Sequence, residues 1–304
     1  MKAVRLHQAV GIEGLVYEEA PEPSPAIGDV LVEVHACGIT PTELDWPIWT
    51  NRSGHERRSI IPGHEFSGVV VALGYGTAGV AVGDEVYGLI DGYRDGAAAE
   101  YIAIEARDVA PKPTTVDHVQ AAALPQAGLT SWQALFDHGR LEAGQSVLVH
   151  GAAGALGSMA VQLARWAGAR VIGTGRANAK QIALDMGADH FVDLEREGWE
   201  EAADQVDVVF DTIGGDVVAR SVGIVKPGGA LVTVVAPPPN DRTDIRIVHF
   251  VRDPSRAQLV KLAELVDRGQ VRPRVGAVYP LCEARTAFAT KANHGVTGKV
   301  ILRP

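Results

Sequence analysis

Three glycines in a tight turn carry the clearest chemical signal in this 304-residue sequence. An apolar run at 147–149 breaks into Gly151, Gly154 and Gly157, after which apolar residues resume at helical spacing. This pattern is typical of a buried parallel strand that turns sharply into a helix. Glycines let the backbone approach a pyrophosphate there, and the helix N-terminus offers free N–H groups with a partial positive charge. The turn matches G-x-G-x-x-G with Ala152 at the first position, which predicts a dinucleotide site.

The next predicted strand indicates which dinucleotide binds. In NAD-binding proteins an acidic residue about 20 residues beyond the glycines holds the ribose diol. Here that stretch is Thr174-Gly175-Arg176, which contains no acid, and Lys180 follows it. A 2′-phosphate requires positive hydrogen-bonding groups, so the pattern predicts NADP(H) as the cofactor. In the alternative interpretation, Arg176 and Lys180 are solvated residues at an exposed helix start.

Composition argues against several classes of function. A net charge of −9 without a basic cluster argues against nucleic acid as the main partner. Two cysteines, Cys37 and Cys282, are too few for a disulfide framework or a structural zinc loop. The N-terminal sequence has no apolar signal core, and no segment reaches the roughly 20 apolar residues of a membrane span. We therefore expect a soluble, cytoplasmic protein without a membrane partner.

Two patterns of secondary structure divide the chain. Before about residue 116, short strands alternate with turn signals, which is typical of a compact barrel. Beyond it, strands alternate with helices, the βαβ signature of a doubly wound parallel sheet. The strands predicted for this sheet are Ser146–His150, Arg170–Thr174, Val206–Asp211 and Ala230–Val235.

The end of the chain returns to the first pattern. An amphipathic helix is predicted over Pro254–Asp267, and strands over Val275–Tyr279 and Lys299–Leu302. We therefore predict an α/β protein in which a Rossmann domain, 117–269, is inserted into a barrel domain formed by 1–116 and 270–304.

Six motifs, in this order, resemble the medium-chain dehydrogenase/reductase superfamily. They are IPGHEFSG at 61–68, GDEVYG at 83–88, AEY at 99–101, AGLTSW at 127–132, VHGAAGALG at 149–157 and TGKV at 297–300. The second half of the chain is most similar to the quinone oxidoreductase (zeta-crystallin-like) branch. The resemblance implies a GroES-like catalytic domain beside a Rossmann domain, hydride transfer from NADPH, and usually a homodimer.

The resemblance also raises the question of a catalytic zinc ion. Zinc alcohol dehydrogenases of the superfamily use Cys, His, and Cys or Asp, and His64 with Glu65 matches the middle of that set. The first position is Thr40 and the third is Gln126, and neither supplies a ligand that zinc favours. Cys37 would reach the first position only by a slip of strand register, which also reverses the face of the side chain. We therefore expect no metal.

Without a metal, hydrogen-bond donors must polarise the substrate carbonyl. The quinone oxidoreductase branch often has Asn where this chain has Thr40, so Thr40 and Thr42 are predicted donors near the nicotinamide. Thr42 also matches the hydroxyl-bearing position of the alcohol dehydrogenase proton relay. Alternatively, both threonines cap a turn. His64 either shuttles protons or only hydrogen-bonds Glu65 or the backbone.

The segment Asp45-Trp46-Pro47-Ile48-Trp49 differs from the usual quinone reductase pattern. Its two tryptophans either line an apolar substrate slot or belong to the core or an interface.

The predicted cofactor contacts combine the glycine turn, the residues after the second strand, and positions that the resemblance implies. They are Thr130, Ala153, Gly154, Ala155, Leu156, Thr174, Gly175, Arg176, Lys180, Thr212, Ile213, Phe250, Val251 and Lys299.

Three hypotheses about function follow. The first is an NADPH-dependent reductase of an apolar quinone or α,β-unsaturated carbonyl, working without a metal. The second is a dehydrogenase of simple alcohols or carbonyls, for which His64 and Glu65 are the best argument. The third is a structural or sensor protein that binds NADPH without turnover.

Replacing Arg176 with alanine tests the choice of cofactor. One charge-assisted hydrogen bond to the 2′-phosphate contributes about 1.5–3 kcal/mol. We therefore expect Arg176→Ala to raise the KM for NADPH roughly ten- to a hundredfold, while the KM for NADH changes little. Steady-state kinetics with both cofactors measure this, and small, equal effects on the two would contradict the assignment.

Overall fold

The computed structural model describes residues 1–46, 49–293 and 295–304. They form two compact units. Unit 1 comprises Met1–Gln126, Asp253–Gly269 and Pro273–Pro304. Unit 2 comprises Ala127–Arg252 and Gln270–Arg272. No helix within the described residues is long and apolar enough to cross a membrane.

The chain begins with the strands of unit 1. They are β1 (Lys2–Leu6), β2 (Leu15–Glu19), β3 (Asp29–Ile39), β4 (Glu65–Leu73), β5 (Glu85–Leu89), β6 (Tyr101–Glu105) and β7 (Val109–Pro111). Two helices follow, α1 (His118–Ala121) and α2 (Pro125–Trp132). Strand β3 is the longest, and its β-branched residues Val30, Val32 and Val34 lie in the hydrophobic core of this unit. The barrel-type strand pattern predicted from the sequence is therefore confirmed.

Residues 127–252, all of which the structure describes, contain a six-stranded parallel sheet. Its strands are β8 (Ser146–His150), β9 (Arg170–Gly175), β10 (His190–Asp193), β11 (Val206–Asp211), β12 (Val225–Thr233) and β13 (Arg246–His249). After α2, its α-helices are α3 (Ala155–Trp166), α4 (Lys180–Asp185) and α5 (Gly215–Ser221). The order β10-β9-β8-β11-β12-β13 is that of the dinucleotide-binding fold. The predicted doubly wound sheet is confirmed.

The sequence analysis missed two strands of this sheet. Strands β10 and β13 are its edges, each has four residues, and β13 has no fully buried residue. Short, partly exposed edge strands lack the continuous apolar run by which the central strands were recognised.

The last elements return to unit 1. They are α6 (Arg256–Asp267), β14 (Val275–Pro280), α7 (Ala284–Ala292) and β15 (Lys299–Arg303). Strand β15 pairs parallel with β14 on one side and antiparallel with β3 on the other. The sheet order is β14-β15-β3-β4-β5-β7, and β6 also pairs with β3. Strands β14 and β15 thus join a sheet whose other strands all lie before residue 112.

Helix α6 belongs to unit 1, whereas the sequence pattern placed it in the Rossmann domain, 117–269. The Tyr87 hydroxyl donates to the Leu259 carbonyl at 2.5 Å, and the Arg256 guanidinium donates to the Val109 carbonyl at 2.5 Å. Leu259 is also fully buried. Amphipathic periodicity identifies a helix with an apolar face but does not say which core covers that face.

Candidate functional site

Three adjacent strands, β15, β3 and β4, bring Lys299, Thr40 and Glu65 together at one end of the sheet of unit 1. Lys299 is the first residue of β15, Thr40 follows the last residue of β3, and Glu65 is the first residue of β4. Both ladders are antiparallel, and Glu65 pairs with Gly38 of β3. The strand registers therefore fix the positions of the three side chains relative to one another.

The Lys299 ammonium is buried between two partners. It forms an ion pair with Glu65 Oε1 and donates to Thr40 Oγ1 at 3.1 Å. The Lys299 and Glu65 side chains are 5% and 1% exposed. The other Glu65 oxygen accepts from the Gln126 backbone N–H at 3.0 Å. Burial raises the pKa of Glu65, while the Lys299 charge opposes that rise. The Lys299 charge therefore helps to keep the Glu65 carboxylate ionised.

Gly38 leaves room for this ion pair. Strand β3 lies between β4 and β15, so the Glu65 side chain must cross β3 to meet Lys299. A Cβ at position 38 would stand 2.6 Å from Glu65 Oε1, closer than such atoms can approach. The glycine therefore permits the crossing.

Glu43 and His64 form a second buried pair. The Glu43 carboxylate accepts from His64 Nδ1, from the Gly63 backbone N–H and from the Thr40 backbone N–H, each at 3.0 Å. An ionised carboxylate only accepts hydrogen bonds, so Nδ1 carries a proton. His64 is 1% exposed, and its Nε2 has no hydrogen-bond partner among the described residues. A buried carboxylate that orients an imidazole in this way is suited to proton transfer.

Glu43 is the main residue of this site that the sequence analysis missed. His64 bonds Glu43, not Glu65 as one alternative proposed. Glu43 lies in the 3₁₀ helix Pro41–Asp45, three residues after Thr40. A threonine followed three residues later by a glutamate is a known helix-start pattern, and this signal was available in the sequence.

The residues of this site do not fit a catalytic zinc ion. Thr40 and Gln126 offer a hydroxyl and an amide where zinc prefers thiolate, imidazole or carboxylate. The Glu65 carboxylate is already paired with the Lys299 ammonium. Burial, and then the nearby glutamates, raise the pKa of the Cys37 thiol well above its usual value, which disfavours a thiolate. In the part of the chain that the structure describes, no three His, Cys, Asp or Glu side chains are grouped to hold a metal.

The remaining residues predicted for the substrate site have mixed environments. Thr42 is exposed. Trp46 and Trp49 are half-buried and pack against the core of unit 1, and the Trp46 ring centroid lies 5.6 Å from that of His64. Pro47 and Ile48 lie outside the described residues. The slot between the tryptophans stays a prediction.

In unit 2, the glycine turn has the backbone that its sequence predicts. Strand β8 is fully buried, and Gly151 has a φ of +71°, a conformation that favours glycine. A Cβ at Gly157 would overlap the Gly151 carbonyl, so the start of α3 packs directly on the turn. Helix α3 has Gly154 at its N-cap and runs for 12 residues. The turn therefore fits a pyrophosphate, which the backbone of Ala153–Leu156 would hold.

The residues predicted to contact the 2′-phosphate lie after β9, where a doubly wound fold requires them. Arg176 is 70% exposed, and its Nε is 3.8 Å from Glu195 Oε1. Lys180 is also exposed, at the start of α4. Surface pairs of this kind contribute little, so Arg176 is available to a phosphate.

The other predicted cofactor residues differ in exposure. Thr130, Thr174 and Gly175 are buried, while Thr212 and Phe250 are half-buried. Ile213 and Val251 are exposed. Lys299 is buried and paired with Glu65, as described above. Their contact with a cofactor stays a prediction.

His150, at the carboxyl end of β8, links three elements of unit 2. Its Nδ1 lies 2.7 Å from Thr174 Oγ1 on β9, and its Nε2 lies 2.7 Å from Ser221 Oγ on α5. Because the Ser221 hydroxyl donates to the Val217 carbonyl, it accepts from His150 Nε2–H, and the Thr174 hydroxyl donates to Nδ1. Burial lowers the pKa of His150 to about 4. The imidazole is therefore a neutral crosslink behind the glycine turn.

This crosslink predicts an acid-sensitive fold. The unfolded chain binds a proton at His150 below about pH 6.5, whereas the folded chain does not until about pH 4. Stability therefore falls as the pH decreases through this interval, by about 2 kcal/mol between pH 7.5 and pH 5. Urea unfolding of the wild type and of His150→Gln at the two pH values measures it. The carboxylates are common to both proteins, so a parallel loss in the variant would contradict the prediction.

Comparison with known proteins gives consistent matches. Residues 26–114 match the family described as alcohol dehydrogenase GroES-like domain, and residues 186–302 match the family described as zinc-binding dehydrogenase. The chain is 32% identical over 287 residues to 2-methylene-furan-3-one reductase of Solanum lycopersicum, covering 90% of this chain and 71% of that protein. It is 31% identical over 287 residues to the chloroplastic NADPH-dependent alkenal/one oxidoreductase of Arabidopsis thaliana, covering 90% and 72%.

A solved structure agrees with these sequence matches. The structure of the quinone oxidoreductase from Coxiella burnetii has a TM-score of 0.90 and 27% identity, covering 100% of this chain and 99% of that chain. The chain belongs to the medium-chain dehydrogenase/reductase superfamily, in its zinc-independent quinone oxidoreductase branch. This is a family of NAD(P)-dependent oxidoreductases, and the predicted GroES-like and Rossmann architecture is confirmed.

Proposed function

We propose that this protein is an NADPH-dependent reductase of α,β-unsaturated carbonyls or quinones. The observation that carries the proposal is the buried ammonium of Lys299, bonded to the hydroxyl of Thr40 at the position of the first zinc ligand. Such a site can stabilise negative charge on a substrate oxygen by hydrogen bonding, without a metal. Two relatives named for the reduction of a furanone and of alkenals and enones support this substrate class.

The choice of NADPH rests on the residues that follow β9. Arg176 and Lys180 are exposed cations, and the stretch before them contains no acid that would bind a ribose diol. A relative at 31% identity is named as NADPH-dependent. When bound, NADPH supplies the hydride. The glycine turn holds the pyrophosphate at the start of α3, and the two cations hold the 2′-phosphate.

The polar groups of unit 1 act on the substrate. Hydride adds at the β-carbon of the conjugated substrate, the π electrons move to the carbonyl oxygen, and Thr40 donates a hydrogen bond to that oxygen as its charge develops. A proton delivered to the α-carbon completes the two-electron reduction. His64, whose Nδ1 is held by Glu43, is our candidate to relay this proton through Nε2. The exposed Thr42 is a second candidate hydroxyl.

We also infer a homodimer and a cytoplasmic location. The homodimer is what the resemblance implies, and the cytoplasmic location is the expectation from the sequence. Light scattering on the purified protein tests the homodimer.

A panel of acceptors tests the proposed function. We expect NADPH oxidation with a small quinone and with an alkenal or enone, and product analysis that shows a reduced C=C bond. Turnover with a simple aldehyde alone would favour an alcohol dehydrogenase. Tight binding of NADPH without turnover of any acceptor would favour a binding protein. The rate without an acceptor is the control.

A further inference from the structure

We propose that Lys299 is a positioning residue that commits the Thr40 hydroxyl to donate a hydrogen bond to the substrate oxygen. The inference rests on the proposed function. It assigns a specific role to Lys299, which the resemblance by itself places among the cofactor contacts. It starts from the hydrogen-bonding capacity of the two groups. A lysine ammonium has three donors and no acceptor. Because Lys299 Nζ donates to Thr40 Oγ1, the Thr40 oxygen accepts and its own proton is left for another acceptor.

The rest of Thr40 is also fixed. Its backbone N–H donates to Glu43 Oε1 at 3.0 Å, so the residue is held through both its backbone and its side chain. Lys299 and Glu65 are buried, whereas Thr40 is half-buried. Thr40 is thus the least buried residue of a chain that runs from Glu65 through Lys299 to Thr40.

The charge on Lys299 strengthens the donor. A hydroxyl that accepts a charge-assisted hydrogen bond is polarised and donates more strongly, and the effect is larger in a buried environment. The substrate oxygen gains negative charge only as hydride arrives. The interaction is therefore stronger in the transition state than in the ground state, which is the condition for raising kcat.

Glu65 is the counter-ion of Lys299. Both side chains are buried, and Gly38 gives the Glu65 carboxylate access to the Lys299 ammonium. Burying either charge without the other would cost far more free energy than burying the pair. The ion pair therefore has a chemical purpose in addition to holding β4 and β15 to β3.

Two variants separate this proposal from a purely structural ion pair. Thr40→Val removes the hydroxyl, and the double variant Glu65→Gln/Lys299→Met removes both charges without leaving either one buried and unpaired. We expect each to lower kcat about a hundredfold. The Kd for NADPH, measured by fluorescence, separates this role of Lys299 from the cofactor contact predicted for it, because the positioning role requires an unchanged Kd. Thr40→Ser keeps the hydroxyl and restores kcat to within about threefold of the wild type.

Combining the changes tests whether the residues act as one unit. The triple variant combines Thr40→Val with Glu65→Gln and Lys299→Met. We expect its kcat to fall no further than that of Thr40→Val, because the effects of residues that act as one unit are not additive. Lys112→Met is the matched control. The Lys112 side chain is likewise only 6% exposed and is paired with Glu85, but it lies outside this cluster. We expect it to lower thermal stability and leave kcat unchanged.

A measurement without turnover completes the test. 4-Nitrophenol, whose phenolate oxygen mimics the charged substrate oxygen, is titrated in the presence of saturating NADP⁺ and followed by its absorbance. We expect the wild type to lower the pKa of the bound phenol by about one unit relative to Thr40→Val and to the charge-neutral double variant.

Several outcomes would overturn the proposal. They are a raised Kd for NADPH in the charge-neutral variant, additive losses of kcat in the triple variant, and an ionisation of bound phenol that does not depend on Thr40 or on the Glu65–Lys299 pair. A wild type that reduces no acceptor would instead refute the proposed function, and a phenol ionisation that still depends on these residues would support the donor arrangement.

Discussion

The ion pair between Lys299 and Glu65 is the interaction on which the candidate site of unit 1 depends. Breaking one side of a buried pair leaves an uncompensated charge, at a cost of about 3–5 kcal/mol. The pair forms only because β15, from the end of the chain, lies beside β3, and because Gly38 lets Glu65 cross that strand. Folding of the C-terminal strand into the first sheet is therefore a precondition for the chemistry at Thr40.

The two buried pairs of unit 1 have different chemical capacities. In the first pair, a donor-only ammonium bonded to a hydroxyl is suited to stabilising negative charge on an oxygen. In the second, Glu43 holds the Nδ1 proton of His64 and leaves Nε2 without a partner among the described residues. Unit 2 has its own buried polar crosslink at His150, which ties β8 to β9 and α5 behind the glycine turn. In all three arrangements, a buried polar side chain at or next to the end of a strand is held in one orientation by its hydrogen-bond or ion-pair partners.

Local sequence patterns predicted the framework because their causes are local. Short stretches of sequence were enough to predict the glycine turn and the central parallel strands, and the fold that these imply is confirmed. The residue types at the positions of the zinc ligands could also be read directly from the sequence. The partners of Lys299, His64 and His150 were not predictable in the same way. Each partner comes from another strand, helix or turn, and the pairing depends on strand register and sheet order. The packing of α6 and the edge strands β10 and β13 likewise depend on tertiary contacts.

The most direct test asks whether a buried ammonium acts where related enzymes use a metal. It measures zinc content by elemental analysis, and it measures enone reduction before and after dialysis against a chelator. We predict far less than one zinc ion per chain and NADPH-dependent turnover that survives the dialysis. A stoichiometric zinc ion whose removal abolishes turnover would contradict this description of the site.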